Sequence, residues 1–298
     1  MLKSYRTIKG DGIHEVEIDK SRFICEMRRT EKEEDAQAFI NEIKEKHADA
    51  THNCSAYQIG ENNEIQRAHD DGEPTGTAGI FVDAEGRNCI VIGPGANADL
   101  SASHVESQRE AIRAARVLLV QLESPVEAIE AALRIAREAG ATMVLNPAPA
   151  NAPTTEAMLA LADVITPNES EFSALIERHT AMAIPAHAIA TAGDEALHLL
   201  CRTLHPRGCV VVTLGAMGSF VSHAEANARG DKIAHYRVGA APAEAIDTTG
   251  AGDAFNGALC ASLAARPEAA FAEHLGFASR YAARSTENKG AALAMPRL

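Results

Sequence analysis

The string Asp247-Thr248-Thr249-Gly250-Ala251-Gly252-Asp253, running into Ala254-Phe255-Asn256-Gly257, carries the strongest chemical signal in this 298-residue chain. Glycines at the mouth of a helix let the backbone approach a ligand closely. The N–H groups there, with the helix dipole, form a hole for an anion such as a phosphate. Gly250, Ala251 and Gly252 are the candidates for that hole. A carboxylate in the first helical turn is a poor neighbour for a polyphosphate unless it has a task. Asp253 has one if it takes a proton from an attacking hydroxyl while the N–H groups hold a transferred phosphoryl group. The bland alternative is a tight strand-to-helix turn with Asp as a favourable first-turn residue.

Other strings with polar or flexible residues also come after apolar runs: Gln121-Leu122-Glu123, Asn146-Pro147-Ala148-Pro149, Thr166-Pro167-Asn168-Glu169-Ser170-Glu171 and Thr213-Leu214-Gly215-Ala216-Met217-Gly218. Taken alone, the third is a helix start with acids in its first turn, and the fourth is an ordinary strand-ending turn. Twelve histidines invite a metal reading, but none form HExxH or a paired short spacing. The best cluster, His52, Cys54, His69 and Asp70, reads as surface and core residues rather than a site.

These strings must be positioned by elements, and the chain changes character near residue 80. Before it the sequence is charge-rich. Residues 21–27 read as a strand, and residues 31–47 as a helix in which Ala36, Phe39, Ile40 and Ile43 recur at helical spacing. A short alternating strand comes next, then the turn-rich residues 70–79, so this part is a small α+β unit. Residues 80–93 read as a hairpin, since two β-branched runs flank Asp83, Glu85 and Gly86. Beyond it, helix and strand alternate: helices over 107–117, 125–140, 154–162 and 194–204, strands over 117–123, 142–149, 163–171 and 209–218, two strand-like pieces around Phe220 and Ile233, and a long helix opened by the Gly-rich string. Near-continuous apolar strands between helices predict an α/β fold with a parallel sheet covered on both faces. In such sheets ligands bind beyond the carboxyl ends of the strands, which is where the Asn, Gly, Thr and Asp residues fall.

The bulk composition narrows the function. A formal charge of −13 disfavours nucleic-acid or anionic-membrane partners, and 4% aromatic residues with no Trp leave little surface for stacking bases. Six cysteines without a CxxC pair suit reduced thiols. The first thirty residues hold no apolar signal segment, and no stretch has the eighteen or so apolar residues a membrane span needs, so the expected location is cytoplasmic.

The full string DTTGAGDAFNGAL resembles the carboxyl-terminal signature of the ribokinase (phosphofructokinase-B) carbohydrate kinases. The resemblance covers residues 80–298 and implies a ribokinase-like three-layer sheet with helices on both faces. It implies ATP-dependent phosphorylation of the primary hydroxyl of ribose or a similar sugar. By position it makes Asp253 the base, with Gly250, Ala251 and Gly252 as the anion hole, and Glu123 a sugar ligand beside Asp253. Asn168 and Glu171 match the family's Asn-x-x-Glu motif, which organises Mg²⁺, its waters and the phosphates. Thr213, Leu214, Gly215, Ala216, Met217 and Gly218, with Asn168, Gly252 and Ser279, would bind ATP. Asp247, Thr249, Ser285, Asn288, Gly290 and Ala294 match the places that hold an activating monovalent cation, K⁺, mostly through backbone oxygens.

The family's first segment, with its central strands, a lid, a sugar-gripping Asp and a Gly-Gly motif, is not visible here. Residues 1–79 instead resemble the amino-terminal half of the IMPACT family, on SRFI, HADATHNCSAYQIG and DDGEPTGTAG. Two incomplete modules are therefore expected to meet near Thr77 to Ile80. Sugar affinity should suffer most, while the phosphate and Mg²⁺ groups are retained. The lid often forms the dimer interface in that family, so its absence argues against a homodimer. The alternative function is an IMPACT-like regulatory or binding module, or a non-functional fusion, with a vestigial kinase scaffold.

Overall fold

The computed structural model describes residues 10–18, 21–50, 53, 55–59, 65–69, 77–82, 88–93, 95–292 and 295–297. They divide into two compact units, Met1–Asp99 and Leu100–Leu298.

In the first unit β1 (Gly12–Ile18) pairs antiparallel with β2 (Ser21–Met27), the predicted 21–27 strand. Helix α1 (Glu33–Lys46) buries Ala36 and Ile40, and it has acids in its first turn and lysines in its last, as the helix dipole favours. Its end is tied to β2 through Glu26, which accepts from Lys46 Nζ (2.8 Å) and meets His47 Nε2 (2.7 Å). Two further antiparallel pairs come after it, β3 (Ser55–Ile59) with β4 (Ile65–His69) and β5 (Thr77–Val82) with β6 (Asn88–Gly93). The second pair is the hairpin expected over 80–93. The tip at 83–87, and His52, Cys54 and Asp70 of the histidine cluster, lie outside the described residues.

The second unit opens with α2 (Ala102–Ser107), capped by the Ser101 hydroxyl on the His104 N–H, and α3 (Arg109–Ala114). The helix expected over 107–117 is thus broken at Gln108, whose backbone leaves helical geometry. Then come β7 (Val117–Val120), α4 (Val126–Ala139), β8 (Thr142–Leu145), α5 (Glu156–Leu161), β9 (Val164–Ile165) and α6 (Glu169–His179). After a short α7 (Ala186–Ile189) and α8 (Asp194–Leu204) the chain forms β10 (Cys209–Thr213), β11 (Ser219–Ser222) and β12 (His235–Val238). It ends with α9 (Ala251–Ala265) and α10 (Phe271–Ser285).

The six strands form one sheet in the order β12-β11-β10-β9-β8-β7. From β7 to β10 neighbours are parallel, while β11 and β12 are antiparallel, so the sheet is mixed rather than purely parallel. The reason is local. β10 and β11 are joined by the short Leu214–Gly218 turn, and so short a link can join only antiparallel strands.

Alternation along the strands divides the core. Met143, Leu145, Ile165, Val210 and Val212 face α4, α5, α6 and α8. Val144, Val164, Cys209 and Val211 face α9 and α10 through Phe255, Leu259, Phe271 and Leu275. The result is a three-layer helix-sheet-helix sandwich, which explains why these strands are apolar on both sides. No helix among the described residues is long and apolar enough to cross a membrane.

Candidate functional site

Parallel pairing puts the ends of β7, β8, β9 and β10 on one side of the sheet, and Glu123, Asn146, Asn168 and Thr213 fall at or just beyond them. Asn146 donates from Nδ2 to the Thr166 carbonyl (3.0 Å), and Asn168 forms a lone parallel bridge with Thr213. The helix-start reading of Asn168–Glu171 is realised as a full capping box. The Asn168 side chain accepts from the Glu171 N–H (2.9 Å), and the Glu171 carboxylate accepts from the Asn168 N–H and Nδ2 (2.9 Å each). Glu171 is nonetheless only 5% exposed. Burial pushes its pKa up, opposed by the Asn168 N–H and reinforced by the negative charge of Asp253. The carboxylates of two different elements therefore lie within electrostatic reach of each other.

Asp253 lies in the first turn of α9. Its residue surface is exposed, yet the atoms packed round the carboxyl desolvate it enough to raise its pKa. Gly250 caps this helix in the left-handed conformation, φ +76°. Ala251 donates its N–H to the Thr248 carbonyl (3.2 Å), and the turn is closed by Ala254 donating to Gly250 O (2.9 Å). This leaves the Gly252 and Asp253 N–H groups as the open donors of the first turn. Asn256, 4% exposed, donates from Nδ2 to the Gly252 carbonyl (3.0 Å), and its Oδ1 is buried without a partner among the described residues. Sequence reasoning misses Asn256. Its place one helical turn beyond Gly252 is the signal that could have found it.

Asp247 behaves oppositely to Asp253. Its carboxylate accepts from the Gly290 N–H and the Thr249 N–H (2.9 Å each), and these bonds hold its pKa below the usual range. With Ile246 and Asp247 donating to the Thr286 carbonyl (2.7 and 3.0 Å), they draw Asp247, Thr249, Ser285 and Gly290 together, with Asn288 between them in sequence. The Ser285 hydroxyl itself donates to Ala282 O (2.8 Å). Ala294 lies outside the described residues.

The turn from Leu214 to Gly218 is held by Leu214 donating to Gly218 O (2.8 Å), with Met217 exposed. Ser279 accepts from the Ala241 N–H (3.1 Å) and donates to Gly239 O (3.4 Å), which ties α10 to the segment after β12. Glu123 is half-buried, and its N–H donates to the Gln121 side chain (2.5 Å). Among the described residues no hydrogen bond or ion pair links it to Asp253. The shallow recesses beside α1, lined by Arg28, Phe39 and Glu42, belong to the amino-terminal unit and involve none of these residues.

This geometry has known counterparts. The model for pfkB family carbohydrate kinases matches residues 61–298, and that for the Impact N-terminal domain matches residues 19–83. A ribokinase from Haemophilus influenzae is 36% identical over 226 residues, covering 75% of this chain and 67% of the relative. An IMPACT family member from Bacillus subtilis, YvyE, is 61% identical over 80 residues, covering 27% of this chain and 37% of the relative. The structure of Arabidopsis thaliana ribokinase complexed with ribose and ATP superposes with a TM-score of 0.60 at 27% identity, covering 76% of this chain and 67% of that one. The chain thus spans about a third of its IMPACT relative and about two thirds of these ribokinases. By the extent of the kinase match and the fold that accompanies it, the chain belongs to the pfkB family of carbohydrate kinases, with an Impact N-terminal domain ahead of the kinase fold.

Proposed function

We propose that the chain is an ATP-dependent sugar kinase that phosphorylates the primary hydroxyl of ribose or a similar sugar. Residues 80–298 form the kinase part and residues 1–79 the IMPACT-like part. The observation that carries this reading is the placement of Asp253 in the first turn of α9, with the open N–H donors of Gly252 and Asp253 and within electrostatic reach of the buried Glu171. A carboxyl with a raised pKa is a better proton acceptor from an alcohol, and the open N–H groups of Gly252 and Asp253, on the turn that Gly250 and Ala251 form, suit the phosphoryl oxygens; the Ala251 N–H, expected in that hole, is instead given to the Thr248 carbonyl. The hydroxyl oxygen attacks the γ-phosphorus as its proton passes to Asp253, and ADP leaves with the bridging oxygen. Glu123 would hold the sugar. Asn168, Thr213, Leu214, Gly215, Ala216, Met217, Gly218, Gly252 and Ser279 would hold ATP.

Glu171, through water and with Asn168, fits a role at Mg²⁺, because its buried carboxylate lies within electrostatic reach of the Asp253 carboxylate. The cation would supply charge neutralisation on the phosphates. By the resemblance, Asp247, Thr249, Ser285, Asn288 and Gly290, with Ala294, would hold K⁺, mainly through backbone oxygens; the hydrogen bonds of Asp247 and Thr286 bring the first, second, third and fifth of these near one another. The test is ribose-dependent ADP release by the full chain. It should be present in the wild type and vanish in Asp253→Asn with an unchanged melt. Release that survives the substitution would sink the assignment.

A second reading rests on the 61% identity to the IMPACT relative over 80 residues. The first unit would then serve a binding or regulatory role, with partner binding that ignores nucleotide and is lost when residues 1–79 are removed.

A further inference from the structure

Among the described residues, no strand pairs with the turn that carries Gly250. Residues 239–246 are irregular, and among the described residues the hydrogen bonds that anchor 246–250 from outside the turn come from the end of α10 and the segment beyond it. Ile246 and Asp247 donate to Thr286 O, and Gly290 donates to Asp247 Oδ2 at 2.9 Å. A Cβ built on Gly250 would lie 3.2 Å from Ala291 Cβ and 3.3 Å from Met295 Cε, so these two side chains back the left-handed residue directly. The far end is fastened as well: the Tyr281 hydroxyl, on α10, donates to the Pro296 carbonyl at 2.9 Å. The chain beyond α10 is therefore tied to the turn through Thr286 and Gly290, and to α10 through Pro296.

We propose that Tyr281 is a positioning residue for the phosphate-holding turn, acting through its bond to Pro296 to keep Met295 and Ala291 against Gly250. This rests on the reading of residues 250–253 as that turn. Tyr281 touches no reacting atom. Its effect is to restrict the conformations of residues 247–253, so that the Gly252 and Asp253 N–H groups are already aligned when an anion arrives. Without the bond to Pro296, Met295 is held only by its neighbours, and the left-handed Gly250 loses its backing.

The test is Tyr281→Phe in the full chain, which keeps the ring and removes the donor, with Met295→Ala as a second variant. Amide exchange read by mass spectrometry should speed up about fivefold over residues 246–254, the change expected for one lost hydrogen bond, while exchange over residues 209–213 is unchanged. The dissociation constant for Mg·ATP, measured by calorimetry, should rise by a similar factor. Unchanged exchange at 246–254, or equal acceleration at 209–213, overturns the proposal, since the latter is what general loosening would produce. If the wild type itself binds no Mg·ATP, the phosphate reading of the turn falls, and the exchange data still decide whether Tyr281 restrains it.

Discussion

Three carboxylates near one another in sequence or space are driven in opposite directions by their surroundings. Asp247 accepts two backbone N–H bonds and is held acidic, while Asp253 and Glu171 lose water to their neighbours and are pushed up. The residue types at 247 and 253 are identical, so only the partners distinguish a structural acid from a candidate base. The same logic gives a pH prediction at His205, which is 4% exposed with Nε2 unpartnered among the described residues. Burial, then the charge of Arg202, lowers its pKa from 6.5 to about 4. The unfolded chain thus binds a proton that the folded one refuses, so its contribution to stability is full above pH 6.5 and is lost as pH falls toward 4. The loss is on the order of 3 kcal/mol across that window. Urea denaturation at pH 7 and pH 4.5 should show a smaller drop for His205→Leu than for the wild type. Equal drops would place the acid sensitivity elsewhere.

At the scale of elements, the legible parts are those whose own pattern suffices. The helix over 194–204 appears with those bounds, the hairpin pairs as expected, and Asn168–Glu171 caps α6. Elements that depend on neighbours are less legible. The 163–171 run yields only Val164–Ile165 as strand, and the piece expected around Ile233 forms at His235–Val238, where β11 provides a partner. The long helix α10 is absent from the sequence reading although Phe271, His274, Leu275 and Ala278 recur at helical spacing and are buried together. The Leu214–Gly218 turn makes a sharp prediction. Gly218 sits at φ +88°, and a Cβ there would lie 2.0 Å from Val238 O and 2.7 Å from Ala240 N, both backbone atoms at the strand end it abuts. Gly218→Ala should cost about 3 kcal/mol or more, through strain and displacement of β12 from β11. A denaturation midpoint within error of wild type would contradict this.

At the scale of the whole molecule, the three apolar clusters all fall within residues 105–278, in the second unit. The first unit, taken by itself, buries Ala36 and Ile40 among its described residues. Calorimetry should therefore show two transitions, with saturating Mg·ATP raising only that of Leu100–Leu298, by about 5–10 °C at a hundredfold excess over Kd. A single transition shifted as one would show that the units melt together. The sequence by itself determined the fold class, both family resemblances and the Gly-rich turn with its acid. Periodicity and short strings are local properties, and a helix mouth with glycines needs no distant partner to be recognised. Only the tertiary structure decided that Glu171 is buried within electrostatic reach of Asp253, that Asp247 is bound by Gly290, and that Tyr281, Met295 and Ala291 stand behind Gly250. Those relations join residues tens of positions apart, and their energies depend on distance and desolvation, which no local pattern of residue types encodes.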